Sequence, residues 1–165
     1  NNWCSFFDDL FEFNDVRERG GGDQVAMYFL RVFEYIDEVV VDRHSQRSPQ
    51  QRERDMAIKD IMREVAVRRA VDVWYNVLTH YHGRGPGDGL EVAQLCLSVL
   101  QAYVEWIDVS LLLTPYWVNL LYFLMSIHPL RVGACECIGQ LVAKKQAPGI
   151  KVETLGALNI VEALS

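Results

Sequence analysis

The stretch Ala93-x-x-Cys96-Leu97-x-x-Leu100 recurs 41 residues later as Ala134-x-x-Cys137-Ile138-x-x-Leu141. A looser copy lies upstream, Ala26-x-x-Phe29-Leu30-x-x-Phe33. Each copy opens on a small residue and places apolar residues three, four and seven positions on, which is one side of an α-helix. A single helix of this kind has nothing to bury that side against. Stacking similar units does, so the pattern predicts an array in which every helix touches both its own partner and the next unit.

Turn signals divide the rest of the chain in the same rhythm: NDVRERGGGD (14 to 23), DRHSQRSPQQRERD (42 to 55), GRGPGDG (83 to 89), Thr114-Pro115, His128-Pro129 and Ala147-Pro148-Gly149. Between them the periodicity predicts helices over 23–41 with Asp23 as N-cap, 51–81, 90–106 with Asp88 as cap, 115–126, 130–145 and 151–164. Within 51–81 the apolar strip slips out of phase at AVRRAV (66 to 71), which predicts a bend there or a change of the neighbour being packed against. No segment alternates as a strand does. A period of about 40 to 47 residues with two helices per unit is that of HEAT and armadillo arrays. The expected fold is therefore all-α, a HEAT-repeat α-solenoid of antiparallel helix pairs stacked into a right-handed superhelical arch. It is expected to form one solenoid segment over 1–165 with about four HEAT-like repeats or parts of them.

Sixteen Lys and Arg stand against 22 Asp and Glu, for a formal net charge of -6. That balance argues against a surface that grips nucleic acid everywhere, so any RNA contact must be a local basic patch. The chain starts with Asn, and NNWCSFFDDL lacks the basic and small-residue features of a secretory signal. It reads as a piece of something longer. Cysteines at 4, 96, 135 and 137 are too few and too scattered for a disulfide framework, and are expected to be reduced thiols in the core. Residues 109–127 carry no charge and are long enough for a membrane span. Thr114-Pro115 divides them, however, with Pro115 suited to a helix N1 position and Asn119 in need of a partner, so two buried helical pieces are expected and no membrane insertion.

Few groupings suit chemistry. Cys135 and Cys137 point about 200° apart on a helix and cannot share one metal, and His80 and His82 meet the same obstacle. GRGPGDG follows no strand and precedes no Lys-Ser/Thr, so it is an inter-helix connection and not a phosphate loop. Asp8 and Asp9, like Glu34, Asp37 and Glu38, read as solvated helix faces with no nucleophile nearby. No cofactor is implied. The one dense basic stretch holds Arg63, Arg68 and Arg69, preceded by Arg52, Arg54 and Lys59. Glu53, Asp55, Asp60 and Glu64 can pair with these along the helix, leaving Arg68 and Arg69 the least well matched by local acids. In YVEWIDVSLLL (103 to 113), Tyr103, Val104 and Ile107 are expected to close an apolar strip, Asp108 to cap a short segment 110–113, Trp106 to cover the corner and Glu105 to face solvent.

Several stretches together resemble the tRNA-exportin family of the importin-β (karyopherin) superfamily. They are WCSFFDDL (3 to 10), DEVVVDR (37 to 43), IKDIMRE (58 to 64), VDVWYNVL (71 to 78), AYVEWIDVSLL (102 to 112), WVNLLYFLMS (117 to 126) and ACECIGQLVAKK (134 to 145). Order and spacing agree along nearly the whole chain. The resemblance implies an N-terminal-half portion of a HEAT-repeat transport receptor that is not an enzyme. It further implies cooperative binding of tRNA and the GTP-bound form of Ran, contact with nuclear pore proteins, and shuttling between nucleus and cytoplasm. The helices of Phe6, Met62 to Leu78, Trp117 to Met125 and Val152 to Leu164 would line the inner surface, and those of Phe29, Leu97 and Ile138 the outer. On that mapping Asp8, Asp9 and Glu12 meet Ran, and Arg63, Arg68 and Arg69 meet Ran or tRNA phosphate. The alternative is a helical-repeat adaptor that binds only proteins.

Overall fold

In the computed structural model, which describes residues 2–16, 22–41 and 47–163, every regular element is helical. The chain divides between Val73 and Trp74 into two compact units. In the first, α1 (Asn2–Val16) packs on α2 (Gly22–Val41), and α3 (Pro49–Val65) packs on both. Phenylalanines hold them together: Phe29 and Phe33 stand 5.0 Å apart by ring centroid on α2, and Phe11 of α1 lies 5.7 Å from Phe29. These three rings, with Phe7, are almost wholly removed from water. Helix α3 starts on a complete capping box, in which Ser48 accepts from the Gln51 N–H at 3.2 Å while the Gln51 side chain accepts from the Ser48 N–H at 2.9 Å, with Pro49 at N1.

The second unit contains the latter part of α4 (Val67–Tyr81), α5 (Leu90–Val104), a 3-10 turn (Val109–Leu111), α6 (Pro115–Ser126), α7 (Arg131–Ala143), α8 (Pro148–Leu158) and α9 (Ile160–Ala163). Helix α7 packs against α6, its neighbour in sequence, and against α5, two elements back; α8 touches α6 and α7. The skip-one contacts α1–α3, α5–α7 and α6–α8 are those of a HEAT-repeat solenoid, where like helices of successive repeats lie side by side.

The repeated sequence pattern is the seam of this stack. Ala93, Cys96, Ala134 and Cys137 are all completely buried. The Cys137 thiol donates to the Leu97 carbonyl at 3.5 Å, and the Cys96 thiol to that of Trp74 at 3.6 Å. A Cβ built on Gly133 would stand 3.1 Å from the Leu97 Cβ, so α5 and α7 approach as closely as they do because that residue has no side chain.

Boundaries differ from the sequence reading in instructive ways. The bend expected in AVRRAV is a break at Ala66 (φ -120°), which ends α3 and lets α4 begin at Val67. Asp23 is inside the first turn of α2, which starts at Gly22, instead of before it. Asp88 does not cap α5; Gly89, at φ 97°, holds that position, and Asp88 turns to Arg84 at 3.9 Å. Thr114 precedes α6 as expected, with Pro115 at N1, but its hydroxyl makes no capping bond. The helix expected over 151–164 is split by Asn159, whose left-handed φ of 44° ends α8. Cys135 is exposed, since it lies opposite the seam that buries Cys137. Residues 17–21 and 42–46, in the first two turn signals, lie outside the described residues.

The uncharged run 109–127 forms the 3-10 turn and α6. No described helix is long and apolar enough to cross a membrane.

Candidate protein and RNA interface

The residues singled out as binding candidates all lie in the first unit, and their geometry sorts them. Asp8, Asp9 and Glu12 are exposed on α1. Arg63 closes α3, where its guanidinium donates to Asp60 at 2.6 Å one turn back. Arg69, on α4, reaches across to α1, donating to Asp8 at 2.9 Å with its guanidinium carbon 4.2 Å above the Phe11 ring. A proposed Ran-facing acid and a proposed phosphate-facing base thus neutralise each other across 61 residues of sequence. Arg68 is exposed and, among the described residues, has no ion pair. So are Asp9 and Glu12. Among the described candidates, Arg68 on α4 and Asp9 and Glu12 on α1 are thus exposed to solvent without an ion pair, where an incoming charge can meet them.

Among the described residues four other cations hold helix ends. None of α2, α5, α6 and α7 has a basic residue in its last turn to balance the negative end of the helix dipole. A cation from a following element does so instead. Arg47 donates to the carbonyls of Val39 at 2.5 Å and Val40 at 3.4 Å, at the end of α2. Lys144 donates to Val104 at 2.7 Å and Ile107 at 2.6 Å, closing α5. Arg131 donates to Met125 at 2.8 Å at the end of α6, and Lys151 donates to the carbonyls of Val142 and Lys144, the latter at 2.9 Å, at the end of α7. Arg47 also pairs with Asp55, a carboxylate only 5 % exposed, and Arg54 shares that carboxylate at 3.2 Å. These clamps were missed in sequence. The signal for them was a helix end with no basic residue, followed by an isolated cation.

YVEWIDVSLLL is built around one such clamp. Tyr103, Val104 and Ile107 are buried, Glu105 is exposed, and Trp106 leans on Tyr103 with centroids 4.9 Å apart. Asp108 accepts from the Ser110 N–H at 3.0 Å and so caps the 3-10 turn. The polar residues are architectural.

Among the described residues no cluster of three His, Cys, Asp or Glu side chains is placed to hold a metal ion. The Cys137 thiol is pushed far above the ordinary range, first by burial and then by the neighbouring Glu136 carboxylate, so it stays protonated and inert.

Residues 1–138 match the family model described as exportin 1-like protein (Xpo1). The chain belongs to this exportin family. Among individual proteins it is 36% identical over 156 residues to exportin-T of Homo sapiens, covering 94% of this chain and 15% of that protein. It is 35% identical to exportin-T of Danio rerio over 157 residues, again 94% of this chain and 15% of the relative. Against exportin-T of Dictyostelium discoideum it is 31% identical over 159 residues, 96% of this chain and 14% of that one. The chain thus spans about one seventh of the length of the relatives it matches. The exportin-T likeness runs through both units.

Proposed function

We propose that this exportin-family chain is a segment of a nuclear export receptor that binds mature tRNA together with GTP-bound Ran, passes nuclear pore proteins and shuttles between nucleus and cytoplasm. The observation that carries the reading is the 36% identity to human exportin-T over 94% of the chain. The segment does no catalysis on this reading. It contributes about four repeats or parts of them to a longer array, with α1, α3 with α4, α6 and α8 toward the ligands. Its mechanism is linkage: Ran and tRNA each favour one curvature of the solenoid, and so raise each other's affinity.

Within it, Asp8, Asp9 and Glu12 are proposed to face Ran, and Arg63, Arg68 and Arg69 to face Ran or tRNA phosphate. Asp9, Glu12 and Arg68 are poised to do so as they stand. Asp8 and Arg69 must first exchange each other for a ligand, and Arg63 must leave Asp60. A protein-only adaptor is the competing reading, favoured by the net charge of -6 and by the number of cations committed to helix ends.

A tRNA gel shift with the full-length receptor, with and without GTP-loaded Ran, separates the two. Ran-dependent tRNA binding is expected, weakened about tenfold or more by joint reversal of Arg63, Arg68 and Arg69 to Glu. An unchanged shift in the triple variant removes the basic patch from the mechanism. Absence of any Ran-dependent shift in the wild type leaves the adaptor.

A further inference from the structure

Two residues assigned to different ligands hold each other. Asp8 of α1 is proposed to face Ran and Arg69 of α4 to face Ran or tRNA phosphate, yet the Arg69 guanidinium donates to the Asp8 carboxylate at 2.9 Å. Among the described residues neither has another ion pair. The Asp8 and Arg69 side chains are 65% and 48% exposed, so water reaches the pair and an incoming charge can take either member.

Arg69 is also held in a second way. Its guanidinium carbon lies 4.2 Å over the ring of buried Phe11, so the face of the group rests on the aromatic while an edge N–H meets Asp8. Removing Asp8 leaves the guanidinium on that ring with the edge open. A phosphate oxygen accepts from such an edge as well as a carboxylate does, and a phosphate sharing the guanidinium repels the Asp8 carboxylate.

We propose that the Asp8–Arg69 pair is an electrostatic latch that couples the two ligands: a tRNA phosphate that takes Arg69 frees Asp8 for a cation on Ran, and Ran in taking Asp8 frees Arg69 for phosphate. The latch rests on the export-receptor reading above and commits Arg69 to phosphate. Whichever ligand arrives first breaks the pair, and the second finds its own partner already released. The coupling is therefore positive and reciprocal, and its size is the strength of the pair. For an exposed ion pair that amounts to about two- to fivefold in affinity, added to whatever the curvature of the solenoid contributes.

The sign of one effect separates a latch from an ordinary contact. A carboxylate that only faced Ran would matter to Ran binding alone, whereas a latch also restrains tRNA. The test titrates labelled tRNA with the full-length receptor, by fluorescence anisotropy, with and without saturating GTP-loaded Ran. Asp8→Asn is expected to tighten Ran-free tRNA binding about two- to fivefold, and to reduce the gain that Ran brings by about the same factor. Asp9→Asn removes an equal charge from an unpaired neighbour and reports the general field; it is expected to move both quantities by less than about half as much. Arg69→Gln is expected to tighten tRNA-free Ran binding in the same way, and the double variant to lower the coupling no further than either single one. Ran-free tRNA binding left unchanged or weakened by Asp8→Asn, an equal effect of Asp9→Asn, or additive losses of coupling in the double variant overturns the latch and leaves the export reading standing. A wild-type receptor without Ran-dependent tRNA binding overturns both.

Discussion

Replacing Lys144 by Met tests whether a remote cation really holds the end of α5. Methionine keeps most of the stem length and its apolar contacts, so the change removes the ammonium group and little else. The ammonium donates to two carbonyls, Val104 at 2.7 Å and Ile107 at 2.6 Å. Hydrogen bonds from a charged donor contribute about 1.5 to 3 kcal/mol each. Lys144 is only half-buried, so water reaches the vacated corner in part and the loss falls toward the lower end of the sum, about 3 kcal/mol. Lys145, next in sequence, is exposed and without an ion pair among the described residues, so Lys145→Met is the matched control, with a change within about 0.5 kcal/mol. Urea unfolding followed by circular dichroism, extrapolated linearly to water, measures both. Amide exchange in the last turn of α5 should also quicken in Lys144→Met alone. A loss below about 1 kcal/mol, or equal losses in the two variants, would show that the corner is held by packing and that the clamp contributes nothing.

Three other outcomes follow from particular contacts. Asp55→Ala removes a buried carboxylate from the Arg47 guanidinium, whose side chain is 14% exposed, and should cost about 3 kcal/mol in urea unfolding, with Asp55→Asn milder. Gly133→Ala gains about 1 kcal/mol of helix propensity, but its methyl would meet the Leu97 Cβ at 3.1 Å. Because that atom is fixed to the α5 backbone, the net effect is destabilisation by about 1 to 2 kcal/mol, read as a lower melting temperature. Iodoacetamide under native conditions should alkylate exposed Cys135 and spare Cys137, whose pKa is raised by burial, until the chain is unfolded; mass spectrometry locates the label.

The helical character of the chain was legible because helix periodicity is local. The breaks at Ala66 and Thr114-Pro115 could be read in the same way, from a phase slip and from a proline. The repeated Ala-x-x-Cys pattern even indicated which faces stack, since small buried residues mark close approach. Caps were less legible. Asp88 has the right side chain in nearly the right place, yet Gly89 takes the position because the loop arrives there with positive φ, which a glycine adopts freely.

The binding candidates show where sequence reading stops. Arg69 is among the cations least well matched by local acids, and its partner Asp8 is 61 residues away; only the packing of α4 beside α1 brings them to 2.9 Å. Lys144 likewise meets carbonyls 40 and 37 residues earlier. By itself the sequence determined the helices, their approximate ends, the stacking seam and the family likeness, all of which depend on spacing along the chain. Tertiary structure decided which charges remain unmatched on the surface. A charge is neutralised by whatever lies within a few ångströms, and that proximity is set by how distant helices pack.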